Sequence, residues 1–552
     1  MKRSSVFILF ILLVFSGFPA AAQTKAGKSA ATATVKTAQR FGNTDAVTAE
    51  RLKGHLEFIA SDELEGRDTP SRGLDIAAMY IARHLADWGI KPAGDGNTYF
   101  QKFPLKRNRI DPFGTILEMN GETFRYGEDF LSNLNPAEIN GAGVVYVSHG
   151  WVFKPKNIDP YQGIDVRDKI VVVTNGLPPG VTFPDLQQTR QGEDWMSPVL
   201  YAQKNGAKAV IVFGTFGNLA SWSSSRWSQS EKGQVELVGD SSPITIPVIT
   251  ASPHLINELF RGEKSNGSAV YTKASTGEPV STFDLKTSKK INLKITVKSE
   301  PTHSQNVVGI LEGSDPVLKN EYVAIGAHYD HVGMNPNRAG EDKIWNGADD
   351  DGSGTVAVMA IAEAFAKGAQ RPKRSILFIW HAGEEKGLWG SQYFTDHPTV
   401  PITSIIAELN IDMIGRYQNP GDENHPVNKN LPKPGEVYVI GSKMMSTELG
   451  ELSEATNRAF LNLNFNYRYD DPKDPEQFFY RSDHFNYARK GIPIIFYMDG
   501  VHEDYHQPSD SVEKINFEQM EKVARTIMAT GWELANRPAR PKVDKPLKMD
   551  GN

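Results

Sequence analysis

The residues most suited to chemistry in this chain are concentrated in a few short stretches, and the densest is NGADDDGSG at 346–354. Three aspartates there follow one another between glycines. Asp and Gly are ordinary turn residues, so a solvated loop is one interpretation. Adjacent carboxylates repel one another, however, so the other interpretation is a bound cation that balances their charge. The remaining acidic and histidine residues decide between the two.

Four apolar, strand-like stretches run directly into residues that bind metals. EYVAIGA is followed by His328 and Asp330, and SILFIWH is followed by Glu384 and Glu385. IIAELNI is followed by Asp412, and IPIIFYM by Asp499, His502, Tyr505 and His506. Ligands bind beyond the carboxyl ends of the strands in open α/β sheets, so we expect these residues to meet. Imidazole and carboxylate without thiolate suit zinc and, less selectively, manganese or cobalt. Two such ions about 3.5–4 Å apart would suit hydrolysis.

The spacing also suggests separate roles for neighbouring residues. His328 and Asp330 share a face if the strand continues that far, and the Asp330 side chain can then hydrogen-bond the far nitrogen of a metal-bound His328. Glu384 and Glu385 are adjacent and should point in different directions. That arrangement favours one metal ligand and one free general base.

The elements that must position these residues form an α/β pattern. From about 285, apolar strands alternate with helical stretches such as GTVAVMAIAEAFAKG, which predicts a doubly wound, mainly parallel sheet. Residues 130–284 have short β-branched runs ending in glycine and are predicted to form a smaller α/β domain of their own.

The two ends of the chain have the composition of segments outside the fold. Residues 1–22 have Lys2 and Arg3, an apolar run and a small-residue cleavage site, which predicts a signal peptide and an exported protein, periplasmic or extracellular. Residues 23–44 are predicted to be a flexible lead-in, and 537–552 a disordered tail.

The composition excludes several classes of protein. The 552 residues include no cysteine, so disulfides, a thiol nucleophile and thiolate metal sites are absent. A net charge of −6 gives no reason to expect nucleic acid as a partner, and stable membrane insertion is not expected either. The oligomeric state is left open.

In order along the chain, HYDHVG, NGADDDGSG, HAGEEKGLWGS, LNIDMIG, RSDHFNYARKGIP and DYHQPSD resemble the co-catalytic di-zinc aminopeptidases related to glutamate carboxypeptidase and the transferrin receptor. The resemblance covers about 300–512, and residues 130–284 are similar to a protease-associated domain. It implies that this domain is inserted into a catalytic domain made of 45–129 and 285–536. It implies two Zn²⁺ ions, with Mn²⁺ or Co²⁺ as substitutes, and a cis or strained peptide after Asp350. The implied metal ligands are His328 and Asp412 on one ion, Glu385 and His506 on the other, and Asp350 bridging the two. Glu384 is the implied general base, and Asp330 is a further catalytic residue. Tyr505 is implied to donate a hydrogen bond to the tetrahedral intermediate.

Other histidines and aspartates near the motifs are expected to have supporting roles. His331, His381, His484 and His502 are interpreted as structural or supporting residues, Asp349 as a turn residue and Asp351 as a support for the site. His55 and His84 are assigned to the scaffold, and SWSSSRWSQS near 221–230 to a surface loop.

The function predicted is that of a secreted metal-dependent exopeptidase, an aminopeptidase acting on peptides. The alternatives are a carboxypeptidase of the same family, a glutaminyl cyclase with a single zinc, and a non-enzymatic binding protein. A carboxypeptidase would need a cationic clamp for the substrate carboxylate. The complete set of five ligand positions disfavours the other two.

Overall fold

The computed structural model describes residues 41–239, 243–276, 278, 280–471 and 473–547. The predicted signal peptide and nearly all of the predicted lead-in lie outside these residues. The end of the lead-in is packed, since Phe41 and Thr44 are fully buried. Within the described residues, no helix combines the length and apolar character needed to cross a bilayer.

The helices and strands fall into three consecutive groups along the chain. The first comprises α1 Ala49–Ile59, α2 Arg72–Asp87, β1 Lys91–Pro92 and β2 Phe100–Ile110. The second comprises β3 Ile116–Met119, β4 Glu122–Arg125, β5 Phe130–Ser132, β6 Ala137–Ala142, β7 Val144–Tyr146, β8 Val152–Phe153, β9 Ile170–Val173, α3 Phe183–Gln187, β10 Trp195–Met196, α4 Pro198–Lys204, β11 Ala209–Phe213, α5 Phe216–Ala220, α6 Trp222–Trp227, β12 Gln234–Leu237, β13 Val248–Ala251, α7 Pro253–Phe260, α8 Gly267–Thr276, β14 Phe283–Asp284 and β15 Ile291–Ile295. The third comprises β16 Val297–Leu311, β17 Tyr322–His328, β18 Gly333–Met334, β19 Ile344–Trp345, α9 Gly354–Lys367, β20 Ser375–His381, α10 Trp389–Asp396, β21 Ile405–Ile411, β22 Glu436–Ile440, α11 Thr447–Ala459, β23 Asn464–Asn466, α12 His484–Ala488, β24 Ile494–Met498 and α13 Phe517–Asn536.

The first and third groups share a 10-stranded sheet, in the order β12-β2-β16-β20-β17-β21-β24-β22-β23 with β1 beside β16. The central strands β20, β17, β21 and β24 are parallel, as the apolar runs predict. The flanks are antiparallel, since β16 runs against β20 and β22 against β24. The sheet is therefore mixed, with the predicted parallel order at its centre and one further parallel pair, β22 and β23, at its edge.

Helices cover the central strands and exclude water from them. The α9 sequence GTVAVMAIAEAFAK is apolar on almost every side, as expected of a helix enclosed by protein, and its residues 354–365 are all buried. A single large core joins α9 to α1, α2, α13 and the strands beneath. This packing fixes the carboxyl ends of the parallel strands relative to one another.

The inserted unit is larger than the sequence pattern indicates. Its two sheets, β14-β7-β9-β11-β13-β5 and β4-β3-β15-β6, share one core that extends from Ile110 to Val297. Strand pairing therefore places its bounds near 111 and 296 rather than at 130 and 284, because β3, β4 and β15 belong to it. In addition, β12 leaves the unit and pairs with β2 at the edge of the main sheet.

The chain beyond α13 was expected to be disordered, and residues 537–547 are not. They form no helix or strand, but Val543 and Leu547 pack against a core cluster of the main domain. The Arg540 guanidinium lies 2.8 Å from the Glu321 carboxylate. The prolines prevent regular structure there without preventing side-chain contacts.

Candidate metal centre and general base

The carboxyl ends of the parallel strands deliver the predicted residues to one edge of the main sheet. His328 ends β17, Asp412 follows β21, and the turn with Glu384 and Glu385 follows β20. The loop after β24 brings His506 to the same place. The sequence prediction that these residues meet is confirmed.

Asp350 lies between two groups of side chains. Its Oδ1 is 3.3 Å from His328 Nε2, and its Oδ2 is 3.0 Å from His506 Nε2. On the first side, Asp412 Oδ1 is 3.6 Å from His328 Nε2. On the second, Glu385 Oε2 is 3.0 Å from His506 Nε2. The five residues therefore have the grouping that the family resemblance implies, with Asp350 shared.

The polar atoms that face one another here are left without ordinary hydrogen bonds. Among the described residues, His328 Nε2, Asp350 Oδ2, Glu385 Oε1 and His506 Nε2 are buried and make no hydrogen bond of normal geometry. Buried polar groups are almost always satisfied, so such a convergence calls for a partner. Cations would satisfy all of these atoms, and an imidazole and carboxylate donor set is one that zinc accepts.

Charge is balanced only in part by the side chains themselves. Burial opposes the charged form of Asp350, but contacts with His328 and His506 outweigh burial and hold its pKa well below the usual value. Burial likewise opposes a charged His506, yet its carboxylate neighbours raise its pKa to about 10. The centre thus carries an excess of negative charge that favours a cation.

The other two aspartates of the triplet support the turn rather than face the cluster. Asp349 Oδ1 accepts a hydrogen bond from the Gly415 amide at 2.7 Å. Asp351 Oδ1 accepts from the amides of Gly354 at 2.8 Å and Met413 at 3.1 Å. The peptide between Asp350 and Asp351 is cis, as the resemblance implies. Both supporting aspartates are fully buried, so a solvated loop is excluded.

Asp351 also lies close enough to the centre to count among its acidic neighbours. One of its carboxylate oxygens is within 4.8 Å of the ligand atoms of both His328 and Asp412. Its Oδ1 also anchors the backbone after β21 through the Met413 amide. Burial and the nearby Asp412 raise the pKa of this carboxyl well above its usual value, so the residue is a structural support that borders the centre.

Asp330 contacts His328 in a different way from the one predicted. Its carboxylate lies 3.7 Å from His328 Nδ1, beyond hydrogen-bond range, and its backbone carbonyl takes that place at 3.1 Å. The reason is that β17 ends at His328, so strand alternation does not extend to Asp330. The carboxylate instead accepts from the Glu384 amide at 3.2 Å and from the Thr69 hydroxyl at 3.0 Å. It therefore positions the predicted general base.

Glu384 and Tyr505 border a pocket beside the cluster. The pocket is lined by Asp350, Asp412, Arg481 and these two residues, among others. Burial raises the pKa of the Glu384 carboxyl well above its usual value, with His328 acting in the opposite direction. The Tyr505 ring stacks on His506 with centroids 3.9 Å apart. Both residues thus face the space where a reacting group would lie.

His331 has a larger part in the centre than the sequence suggested. Its Nδ1 lies 2.7 Å from Glu385 Oε1 and 3.8 Å from Asp350 Oδ2. The ring is fully buried, and its Nδ1, like Glu385 Oε1, makes no hydrogen bond of normal geometry with any described residue, so His331 is one of the side chains that converge on the centre. Its position three residues beyond the end of β17, beside Asp330, is the only sequence signal of this role.

The remaining histidines near the motifs lie away from the cluster. His381 Nε2 is 3.1 Å from the Tyr487 hydroxyl, and His484 Nε2 is 2.8 Å from the Phe479 carbonyl. His502 Nε2 is 3.2 Å from Asp349 Oδ2. These contacts agree with the structural roles expected for the three residues.

One supporting residue escaped sequence interpretation altogether. Arg67 is fully buried and its guanidinium donates to the carbonyls of Tyr329 at 2.9 Å, Asn346 at 2.7 Å, Gly347 at 2.9 Å and Ile59. Burial lowers its pKa to about 10, which leaves it protonated at neutral pH. The guanidinium thus ties the segment after β17 to the start of the aspartate turn.

Asp510 completes the support from the opposite side. Its carboxylate accepts hydrogen bonds from the amides of Asp349 and Asp350, each at 3.1 Å. The residue closes the DYHQPSD motif, whose histidine had drawn the attention of the sequence analysis. The motif therefore contributes both a cluster residue and the anchor of the aspartate turn.

Comparison with known proteins finds similarity over the segment that carries this geometry. The model of peptidase family M28 matches residues 306–531. Aminopeptidase YwaD of Bacillus subtilis is 25% identical over 348 residues, which cover 61% of this chain and 65% of that protein. A probable zinc metalloprotease of Leptosphaeria maculans is 27% identical over 269 residues, covering 44% of this chain and 60% of that one. The matches thus span less than two thirds of the relatives' own length.

Solved structures show the same fold over most of the chain. An aminopeptidase from Aneurinibacillus sp. strain AM-1 has a TM-score of 0.52 at 19% identity, covering 92% of this chain and 98% of that one. The zinc aminopeptidase BSAP from Bacillus subtilis has a TM-score of 0.50 at 19% identity, covering 91% and 98%. At these identities the likeness shows the fold alone. The cluster lies wholly inside residues 306–531, the segment that the model of peptidase family M28 matches.

Proposed function

We propose that this protein is an exported, metal-dependent aminopeptidase that hydrolyses N-terminal residues from peptides. The observation that carries the proposal is the pair of donor groups sharing Asp350, with Glu384 beside them. The family match and the names of the relatives, which include aminopeptidases, support peptides as the substrates.

The donor set fits two divalent cations, for which zinc is the proposed metal and manganese or cobalt the substitutes. His328 and Asp412 would hold one ion, Glu385 and His506 the other, and Asp350 would bind both. When bound, such ions lower the pKa of water and polarise the scissile carbonyl. His331 would keep Glu385 oriented through their 2.7 Å contact.

Glu384 is the proposed general base. It would take a proton from the attacking water and then give that proton to the amine nitrogen of the departing peptide, so that protons balance over the cycle. The Asp330 carboxylate, accepting from the Glu384 amide at 3.2 Å, keeps this group aimed at the pocket. Tyr505 would donate a hydrogen bond to the oxyanion that forms as water adds to the carbonyl.

Export and the identity of the inserted unit are part of the same proposal. The pattern of residues 1–22 supports a cleavable signal and a periplasmic or extracellular location. We infer that the inserted unit is a protease-associated domain, on the basis of its separate α/β core. An exported chain without cysteine relies on core burial for its stability, which a chain of this size permits.

The test combines metal analysis with a matched pair of substrates. Purified protein should contain close to two metal ions per chain and cleave free aminoacyl anilides in preference to their N-acetylated forms. Glu384→Gln should lower kcat by about a thousandfold or more. Glu451→Gln, at an exposed position on α11, is the matched control and should keep full activity. Equal cleavage of blocked substrates, or full activity of Glu384→Gln, would contradict the proposal.

A further inference from the structure

A second pocket lies beside the metal centre, where the inserted unit meets the main domain. Its volume is about 360 Å³ and its lining includes Asp68, Thr69, Arg107, Lys232, Lys386 and Trp389. Lys232 belongs to the inserted unit, whereas Lys386 belongs to the turn after β20. The space is large enough for a peptide side chain together with its terminal group.

The cations around this pocket outnumber the carboxylates in direct contact with them. Lys232 Nζ lies 2.6 Å from Asp68 Oδ2, and Lys386 Nζ lies 2.8 Å from Asp68 Oδ1. Arg107 donates to the carbonyls of Lys232 at 2.8 Å and Pro70 at 3.3 Å, and no described carboxylate lies within ion-pair distance of it. Three cations thus share one carboxylate at ion-pair distance, while Asp330 and Glu385 act on Lys386, and Glu300 on Arg107, from farther away.

The two lysines are held firmly enough to form a binding site. Each side chain is only 27% exposed, and Asp68 fixes both ammonium groups from one side. A single lysine would be enough to neutralise Asp68 and to tie the inserted unit to the main domain. The second lysine and Arg107 are in excess of that structural need, and a partly buried excess of positive charge attracts an anion.

The pocket lies close to the metal centre, as two short connections show. Lys386 is the third residue of the turn that contains Glu384 and Glu385, and three extended residues span at most about 10 Å. On the other side, the Thr69 hydroxyl donates to Asp330 at 3.0 Å, and Asp330 positions Glu384. The pocket is therefore within the length of a short peptide from the centre.

We propose that this pocket is a subsite that binds a carboxylate of the peptide substrate. The inference rests on the proposed aminopeptidase function. In an aminopeptidase only one residue precedes the scissile bond, so a site beyond the centre receives the portion that follows it. The carboxylate is either the C-terminus of a short peptide or an acidic side chain, and the enzyme prefers short or acidic peptides over neutral ones.

Peptides of the same length and first residue distinguish these sources. A tripeptide is compared as its C-terminal amide, as its free acid, and as an amide whose last residue is glutamate. The free acid or the glutamate amide should have a kcat/KM about tenfold above the neutral amide, because a hydrogen bond to a charged group contributes about 1.5–3 kcal/mol. The carboxylate form with the larger increase in kcat/KM shows whether the pocket binds the C-terminus or an acidic side chain. Raising the salt concentration should reduce the ratio.

Two variants test the lysines directly. Lys232→Met and Lys386→Met should each lower the acid-to-amide ratio of kcat/KM towards one. Lys106→Met is the matched control, because Lys106 on β2 pairs with Glu236 at 2.9 Å and does not line the pocket. Its ratio should equal that of the unaltered protein.

The outcomes separate the two proposals. If the unaltered protein cleaves the neutral amide as efficiently as both carboxylate forms, the subsite is refuted while the aminopeptidase function stands. A ratio that survives in both lysine variants also refutes it. Failure to cleave any peptide refutes the function and the subsite with it. The comparison of substrates needs no variant, so it holds even if a substituted protein fails to fold.

Discussion

Replacing Arg67 by methionine should destabilise the main domain more than any surface substitution. The guanidinium donates to four backbone carbonyls in a fully buried position, and methionine preserves much of the volume while removing every donor. Hydrogen bonds to charged groups contribute about 1.5–3 kcal/mol each, but bonds from one group are not additive. Removing one partner from a buried charged network costs about 3–5 kcal/mol. We therefore expect a loss of about 4 kcal/mol.

Urea unfolding followed by tryptophan fluorescence measures this loss as a lower midpoint. Arg83→Met is the control, since Arg83 is 76% exposed and pairs only with Asp87 one turn away on α2. Its expected effect is within about 0.5 kcal/mol. Arg67→Lys keeps the charge but not the planar fork and should fall between the two.

A second measurement separates the role of Arg67 in the centre from its role in stability. Two of its bonds hold the carbonyls of Asn346 and Gly347, where the aspartate turn begins. Metal retention against a chelator, measured in conditions where the variant is folded, should weaken about 10–100-fold, the range typical of groups that orient metal ligands. If Arg67→Met unfolds at the same urea concentration as Arg83→Met, the reasoning from these hydrogen bonds is refuted.

Three further predictions follow from other parts of the structure. Asp330→Asn should lower kcat about 10–100-fold with little change in KM, because the carboxylate positions Glu384. Steady-state kinetics measure this loss, and elemental analysis should show that the metal content is retained. A loss of metal in proportion to the loss of kcat would contradict that role. Chelation should abolish activity and lower the thermal midpoint, and adding Zn²⁺, Mn²⁺ or Co²⁺ should restore both; activity that persists after complete metal removal would exclude the mechanism. Burial lowers the pKa of His55 to about 4 from an unfolded value of 6.5. The unfolded state therefore binds the proton first, so the contribution of His55 to stability is full above pH 6.5 and falls as pH decreases towards 4. His55→Gln should make the urea midpoint less sensitive to pH in this window, and an unchanged pH dependence of the midpoint would assign it to other groups.

The parallel centre of the fold and the meeting of the site residues are predictable because both depend on local patterns. Buried parallel strands have continuous apolar sequences, and the residue after each strand is fixed in space by the sheet. The glycine before the aspartates is also explained locally, because Gly347 has a φ of 56° and a Cβ there would lie 2.2 Å from the Asp350 carbonyl oxygen.

Other features depend on contacts between distant parts of the chain and leave no local signal. Arg67 binds the Asn346 carbonyl across 279 positions, and no spacing rule relates the two. The predicted Asp330 contact with His328 assumed a longer strand, and one residue of extra length decides which side chain faces the histidine. The packed tail was missed for a similar reason, because Val543 and Leu547 acquire partners only in the folded domain.

The place of β12 has a consequence for attempts to simplify the protein. This four-residue strand of the inserted unit pairs with residues 105–108 of the 11-residue strand β2 at the edge of the main sheet. Unpaired edges promote association between molecules. A shortened protein that lacks 111–296 would expose the backbone donors and acceptors of that stretch, and we expect it to aggregate more readily even with its metal residues intact. The inserted unit therefore protects part of the sheet edge as well as lining the pocket beside the metal centre.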